Sequence, residues 1–185
     1  MKKKRILVDM DGILANLLQQ WLDTYNLENQ DNVQMSDITS WDMHEHVKIG
    51  KAIYKIPGRL GYFDKTPPMD GAIEGFKALQ RHGHEVLVCS SPYNPDSARA
   101  KQEWCARYLG TRWSDVTLTH KKHWMNADVI IDDKPETIVE FSKLGRAVVT
   151  IAYPYNECVT SHCNLRALDM NHSGDAWTEI VEYLT

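Results

Sequence analysis

The run Arg5-Ile6-Leu7-Val8-Asp9-Met10-Asp11-Gly12-Ile13-Leu14 decides how the rest of the chain is read. Its first part is short and apolar, as a strand buried on both faces must be, and it stops at an acid. Beyond Gly12 the period changes, and Ile13, Leu14, Leu17, Leu18, Trp21, Leu22 and Tyr25 recur at helical spacing. A strand that passes through an acidic turn into a helix opens an alternating α/β chain with a parallel sheet.

Downstream the alternation continues. Asp70 is the expected cap of a helix that turns Ala72, Ile73, Phe76 and Leu79 inward and stops at Gly83. Strands are expected over 85–89, leading into Ser90-Ser91-Pro92, and over 116–118, 128–131 and 147–151, five in all with the first. Asp96 or Ser97 opens a helix to Leu109, Pro135 suits the first turn of another, and Trp177, Ile180, Val181 and Leu184 mark a last one. Trp104 and Trp177 fall on apolar helix faces and read as core. The polar stretch 26–68, without a strand signal and closed by Pro67-Pro68, breaks the pattern. The expected division is a core of 1–15 and 69–185 with a small helical cap over 16–68. The segment 153–173 carries no legible role.

At 185 residues the chain suffices for one good core with a small insertion. A net charge of −4 gives no basic stripe for a nucleic-acid polymer. The basic run Lys2-Lys3-Lys4-Arg5 reads as a solvated strand entrance, and the apolar residues after it are too few for a secretory or membrane-spanning segment. Cys89, Cys105, Cys158 and Cys163 show no disulfide-like pattern, so a reducing cytoplasm is expected. A zinc site on Cys158, His162 and Cys163 lacks a second half, and the His44/His46 pair lacks a third ligand; both read as ordinary surface. A homodimer is the default assembly.

The positions of the polar residues point to function. Asp9, Asp11, Ser90, Asp132 and Asp133 all fall at or just past the carboxyl ends of apolar strands, the edge along which open parallel sheets bind ligands. Two carboxylates about 4 Å apart repel by roughly 4 kcal/mol at an effective dielectric of about 20. Such a cluster calls for a cation, raised pKa values, or both. Oxygen ligands suit Mg²⁺, which commonly bridges to a substrate phosphate. Helix capping accounts for Asp132 or Asp133 before Pro135, but not for Asp9 and Asp11 straight after a buried strand.

These motifs resemble those of haloacid dehalogenase superfamily phosphatases. Ile6–Ala15 is similar to their first motif, Cys89-Ser90-Ser91-Pro92 to the second, Lys122 to the lysine of the third, and Ile130-Ile131-Asp132-Asp133 to the acidic fourth. Within that superfamily the wording is most similar to the 5′(3′)-deoxyribonucleotidases, through DMDGILA, Gly61-Tyr62-Phe63 before Pro67-Pro68-Met69-Asp70-Gly71-Ala72, and Lys122 ten residues ahead of Asp132. The resemblance implies a three-layer Rossmann-like core and hydrolysis of a deoxynucleoside monophosphate. It implies Asp9 as nucleophile, Asp11 as general acid and base, and Ser90 and Lys122 as phosphate-binding groups, with backbone N–H groups near Met10. Mg²⁺ would be held by Asp9, the Asp11 carbonyl, Asp133 and Asp132. Leu17, Trp41, Met43, Tyr62 and Ser91 are the expected substrate contacts. Ser90 stands where the group has Thr, and Leu17 where it has an aromatic residue, which removes a stacking surface for a base.

Two other readings stay open on the residues alone. One keeps the chemistry and changes the substrate to a sugar phosphate or another small phosphomonoester. The other is a non-hydrolytic domain, either a phospho-signalling receiver or a binding module. A receiver, however, carries its acidic pair after the first strand and has no cap.

Overall fold

The computed structural model describes residues 2–167 and 173–185. Six parallel strands form one sheet: β1 (Arg5–Val8), β2 (Glu85–Ser90), β3 (Val116–Leu118), β4 (Val129–Ile131), β5 (Ala147–Ile151) and β6 (Leu165–Ala167). The order is β3-β2-β1-β4-β5-β6, so the chain first builds outward on one side of β1 and then on the other. β1 is therefore the switch point, where the loops leaving adjacent strands diverge and open a crevice. Val8 lies opposite Val88 on one side and Ile131 on the other, which brings the residues after all three strands together.

Among the described residues five helices cover the sheet: α1 (Leu17–Asn29), α2 (Ala72–Arg81), α3 (Pro95–Leu109), α4 (Pro135–Lys143) and α5 (Ser173–Leu184). Gly75 on α2 meets Trp177 of α5 so closely that a Cβ has no room. Trp104 and Trp177 are fully buried, as their helix faces require, and each indole N–H reaches a carbonyl, Thr66 O at 2.9 Å and Ile13 O at 3.0 Å.

Three local expectations are corrected. α2 is preceded by Gly71 in the left-handed region (φ 73°) rather than capped by Asp70. α3 starts at Pro95 under Asn94, whose side chain accepts from the Ser97 N–H at 2.8 Å while Ser97 Oγ accepts from the Asn94 N–H. Asp96, released from capping, accepts from the Gly61 N–H instead. Finally, the sheet has a sixth strand, β6, inside the segment that showed no element. At three residues, with an arginine in the middle, it is too short for periodicity to reveal. Residues 168–172 of that segment lie outside the described residues.

The insertion after β1 is helical, α1 followed by 3₁₀ turns at Met35–Asp37, Met43–Glu45, Gly50–Lys55 and Phe63–Lys65. Its entry and exit run side by side: Asn16 N–H donates to Pro67 O, and Met69 N–H to Leu14 O. Trp21 of α1 fastens the far turn through its indole N–H on Ile53 O. The apolar side chains of the insertion, among them Ile38, Met43 and Ile53, are continuous with the core under the sheet.

Candidate active site

The crevice at the carboxyl end of β1 is assembled from strand ends. Asp9 follows β1, Ser90 ends β2, Asp132 and Asp133 follow β4, and Lys122 begins a short 3₁₀ turn before β4. Between Asp9 and α1 the chain coils tightly, with Met10 O accepting from the N–H groups of Leu14 and Ala15. Gly12 permits this turn in two ways. Its φ of 74° is left-handed, and a Cβ there would come within 2.7 Å of Asp133 Oδ2.

Two buried lysines organise the acids. Lys122 Nζ lies 2.6 Å from Asp132 Oδ2 and 2.8 Å from Asp9 Oδ1. The second contact is an ion pair without hydrogen-bond alignment, so Asp9 Oδ1 is a buried acceptor with no donor. Asp132 is fully committed, because its Oδ1 accepts from the Lys134 N–H. Lys101, from α3, was not anticipated. Its ammonium sits 2.7 Å from each carboxylate oxygen of Asp11 and 2.9 Å from Ser90 Oγ. The signal for it was its place on the inward face of α3 beside Ala100, Trp104 and Cys105.

Four carboxyls thus face two ammonium groups, and two negative charges lack a partner when all are ionised. Burial, opposed by Lys122 and reinforced by Asp9, pushes Asp132 up to about 6. Burial and then Asp9 and Asp132 raise Asp133 well above the carboxylate range. Asp11 is raised by burial against the pull of Lys101. Burial works against the Lys122 ammonium, but Asp132 and Asp9 outweigh it and raise its pKa. Among the described residues, Asp9, Asp132 and Asp133 are the one group whose ligand atoms converge, all within 4.8 Å of one another. The Asp9 oxygen without an aligned hydrogen bond, the surplus charge and the all-oxygen donor set fit a hard divalent cation. Cys158, His162 and Cys163 do not converge on a metal, and His44 and His46 are spent on Tyr54 and Ser40.

A cavity of about 440 Å³ opens above these groups, reached by Asp9, Asp11, Lys122 and Asp133 from below. Leu17, Trp41, Met43 and Ser91, expected as substrate contacts, are among the residues that line it, and Tyr54, Tyr93, His120, Lys134 and Tyr155 line it unannounced. The Met10 side chain is wholly buried against Cys105, which leaves its backbone at the turn. Two expected positions need correction. Ser90 is buried below the cavity and meets Lys101, while Ser91 faces the opening. Tyr62 lines a different hollow beside α1, where its hydroxyl is used by Gln20 O and Thr24 Oγ1. Its aromatic neighbourhood in the sequence gave no hint of which side of α1 it would occupy. Tyr155, on the 3₁₀ segment Pro154–His162, donates to Asp133 Oδ2, a contact that no periodicity foretold.

Comparison with known proteins agrees with this geometry. The family model for "5′ nucleotidase, deoxy (Pyrimidine), cytosolic type C protein" matches residues 3–180. A 5′(3′)-deoxyribonucleotidase of Bacillus subtilis (strain 168) is 30% identical over 142 residues, spanning 75% of this chain and 81% of its own. One from Clostridium acetobutylicum is 26% identical over 144 residues, spanning 76% and 79%. Among solved structures, a haloacid dehalogenase-like hydrolase of Streptococcus pneumoniae aligns over 99% of both chains with a TM-score of 0.59 at 13% identity. A phospho-aspartyl intermediate analogue of phosphoserine phosphatase aligns over the whole of both chains with a TM-score of 0.51 at 15% identity. These structural likenesses concern the fold. The fold is that of haloacid dehalogenase-like hydrolases, and the chain belongs to the 5′(3′)-deoxyribonucleotidase family.

Proposed function

We propose that the protein hydrolyses the phosphomonoester of a deoxynucleoside monophosphate through an aspartyl-phosphate on Asp9. The carrying observation is Asp9 itself: it stands at the switch point below the cavity, ion-paired to Lys122 at 2.8 Å and converging with Asp132 and Asp133 within 4.8 Å. A carboxylate oxygen of Asp9 attacks phosphorus as the P–O bond to the nucleoside breaks. Asp11 gives its proton to the departing alkoxide, then takes one from the water that cleaves the acyl phosphate and restores Asp9. The raised pKa of Asp11 suits a group that must carry a proton between the two steps. Lys122 and the backbone N–H groups of Met10 and Asp11 hold the phosphoryl oxygens as charge shifts among them. Ser90 and Lys101 support Asp11 from below.

Asp9, the Asp11 carbonyl and Asp133 would hold Mg²⁺, with Asp132 in support because both of its oxygens are already engaged. When bound, this ion would neutralise phosphate charge and align it with Asp9. The 16–68 insertion acts as the cap, its Leu17, Trp41, Met43 and Tyr54 forming an apolar wall against which a base lies flat. None of the described helices is long and apolar enough to cross a membrane, and the free cysteines suit the reducing cytoplasm proposed for it.

The test is phosphate release from a panel of nucleoside 5′- and 3′-monophosphates and sugar phosphates, with Mg²⁺ and with EDTA. Deoxynucleotides should be the best substrates, and EDTA should abolish turnover. Asp9→Asn should lower kcat by about three orders of magnitude or more. Turnover confined to sugar phosphates would overturn the substrate, and near-normal Asp9→Asn would overturn the mechanism.

A further inference from the structure

The segment 153–162 packs against the acids more closely than a connecting loop needs to. Asn156 Nδ2 donates to Ile151 O at 2.9 Å and to Asp133 O at 3.2 Å, and its Oδ1 accepts from the Tyr153 N–H at 3.1 Å. The Tyr153 hydroxyl donates to Gly12 O at 2.6 Å, past the Asp11 carbonyl and on the α1 side of the turn. Tyr155 stacks on Tyr153 with ring centroids 4.8 Å apart and donates its own hydroxyl to Asp133 Oδ2. On its other side Tyr155 meets the edge of Trp41, the cap residue on the cavity wall, at 5.5 Å.

Packing alone does not account for this arrangement. Phenylalanine would fill the same stack, whereas a hydroxyl in a buried aromatic layer has to be matched to an acceptor. The acceptor is the one carboxylate of the cluster that no lysine reaches, and a Gly12 side chain is excluded from the same oxygen. With Oδ2 occupied by the phenol, Oδ1 is the Asp133 oxygen without a protein donor among the described residues. We infer that Tyr155 is a positioning residue for the divalent cation: it locks the Asp133 carboxylate through Oδ2 so that Oδ1 is left for the ion, and through Trp41 it ties that lock to the seating of the cap. The inference rests on the cation site proposed above. Hydrogen-bond partners of metal-ligating groups commonly hold ten- to a hundredfold in metal affinity.

The experiment is calorimetric titration of Mg²⁺ into the whole protein without substrate, for the wild type, Tyr155→Phe and Tyr153→Phe. Tyr155→Phe should weaken Mg²⁺ binding about ten- to a hundredfold. Its turnover should need correspondingly more Mg²⁺ and recover most of the wild-type kcat at saturation. Tyr153→Phe, which leaves the Asp133 contact in place, should stay within about threefold of the wild type on the same scale. Equal affinity in Tyr155→Phe and wild type overturns the inference, as does equal weakening in the two variants, which would signify general loosening. A wild type that binds no Mg²⁺ overturns the cation site beneath it and the inference with it. Should Tyr155→Phe not fold, wild-type protein carrying ¹³Cζ-labelled tyrosine answers the question. The Tyr155 hydroxyl proton should give a slowly exchanging downfield signal that moves as Mg²⁺ is added, and a signal indifferent to Mg²⁺ overturns the inference.

Discussion

The two ends of the parallel sheet use charge in opposite ways. At the amino end the charges are settled: Lys3 pairs with Glu85, Arg5 with Asp128, and His84 accepts from the Lys4 N–H while holding Leu184 O. At the carboxyl end four acids meet two lysines under a largely apolar cavity, and the buried Asp9 Oδ1 has no hydrogen-bond donor among the described residues. Balanced charge costs little and contributes little. Unbalanced buried charge is expensive unless a ligand completes it, so the imbalance marks the end at which chemistry occurs. Substitutions at the two ends should separate accordingly, rate at one and stability at the other.

After loss of the nucleophile in Asp9→Asn, the largest effect should come from Lys101, the cation under Asp11 and Ser90. Lys101→Met keeps the stem and removes the charge, leaving Asp11 buried with no counterion. We expect kcat to fall about 10²- to 10³-fold, the scale of losing one preorganised charge at a reacting centre. KM should change little, because the lysine lies beneath the cavity rather than on its wall. Steady-state kinetics on the best nucleotide decide this. A defect confined to KM would place Lys101 in binding and break the contrast between floor and wall.

The wall should respond differently. Trp41 is on the cavity face and Tyr62 in the neighbouring hollow, although both are aromatic residues of the same insertion. Trp41→Ala should raise KM roughly tenfold, the loss of about 1.4 kcal/mol of contact, with kcat within a few-fold of wild type. Tyr62→Phe, whose hydroxyl serves only α1, should leave both constants within about twofold. Equal effects on KM would restore Tyr62 as a substrate contact and overturn the placement of the wall.

What the sequence made legible divides along the same line. Asp9, Asp11, Ser90, Asp132 and Asp133 stand out because a strand of three or more apolar residues ends at each, and strand ends in a parallel sheet share one edge. Five of the six strands announced themselves for the same reason. Lys101 did not, since a lysine within a helix is ordinarily solvated and only its inward neighbours gave a hint. Beyond α1, the insertion and the 153–162 segment are built from 3₁₀ turns, which have no long apolar period. Which of their aromatics face the cavity is set by contacts distant in sequence, as Trp21 on Ile53 and Tyr155 on Asp133 illustrate.

The smallest effect belongs to the amino end and should appear in stability alone. Burial lowers the His84 pKa, opposed by the Leu184 carbonyl and aided by the Lys4 charge. Its Nδ1 accepts a hydrogen bond from the Lys4 N–H and so cannot also carry a proton. As pH falls, the unfolded chain therefore takes up a proton near the ordinary histidine value of about 6.5 before the folded chain does. This contribution is complete above about pH 6.5 and is lost below it, by at most about 1.4 kcal/mol per pH unit. Asp132, raised to about 6 by burial, runs the other way, its cost fading as pH falls towards the ordinary carboxylate value. His84→Gln isolates the histidine, because glutamine can bridge the same two groups without titrating and Asp132 is common to both proteins. In denaturant melts from pH 7.5 to 5.5 the wild type should lose ground steadily against His84→Gln, while kcat at pH 7.5 is the same in both. A stability difference that stays flat across that range would show that His84 does not titrate with unfolding. A fall in kcat would show that the amino end reaches the crevice, which its settled charges argue against.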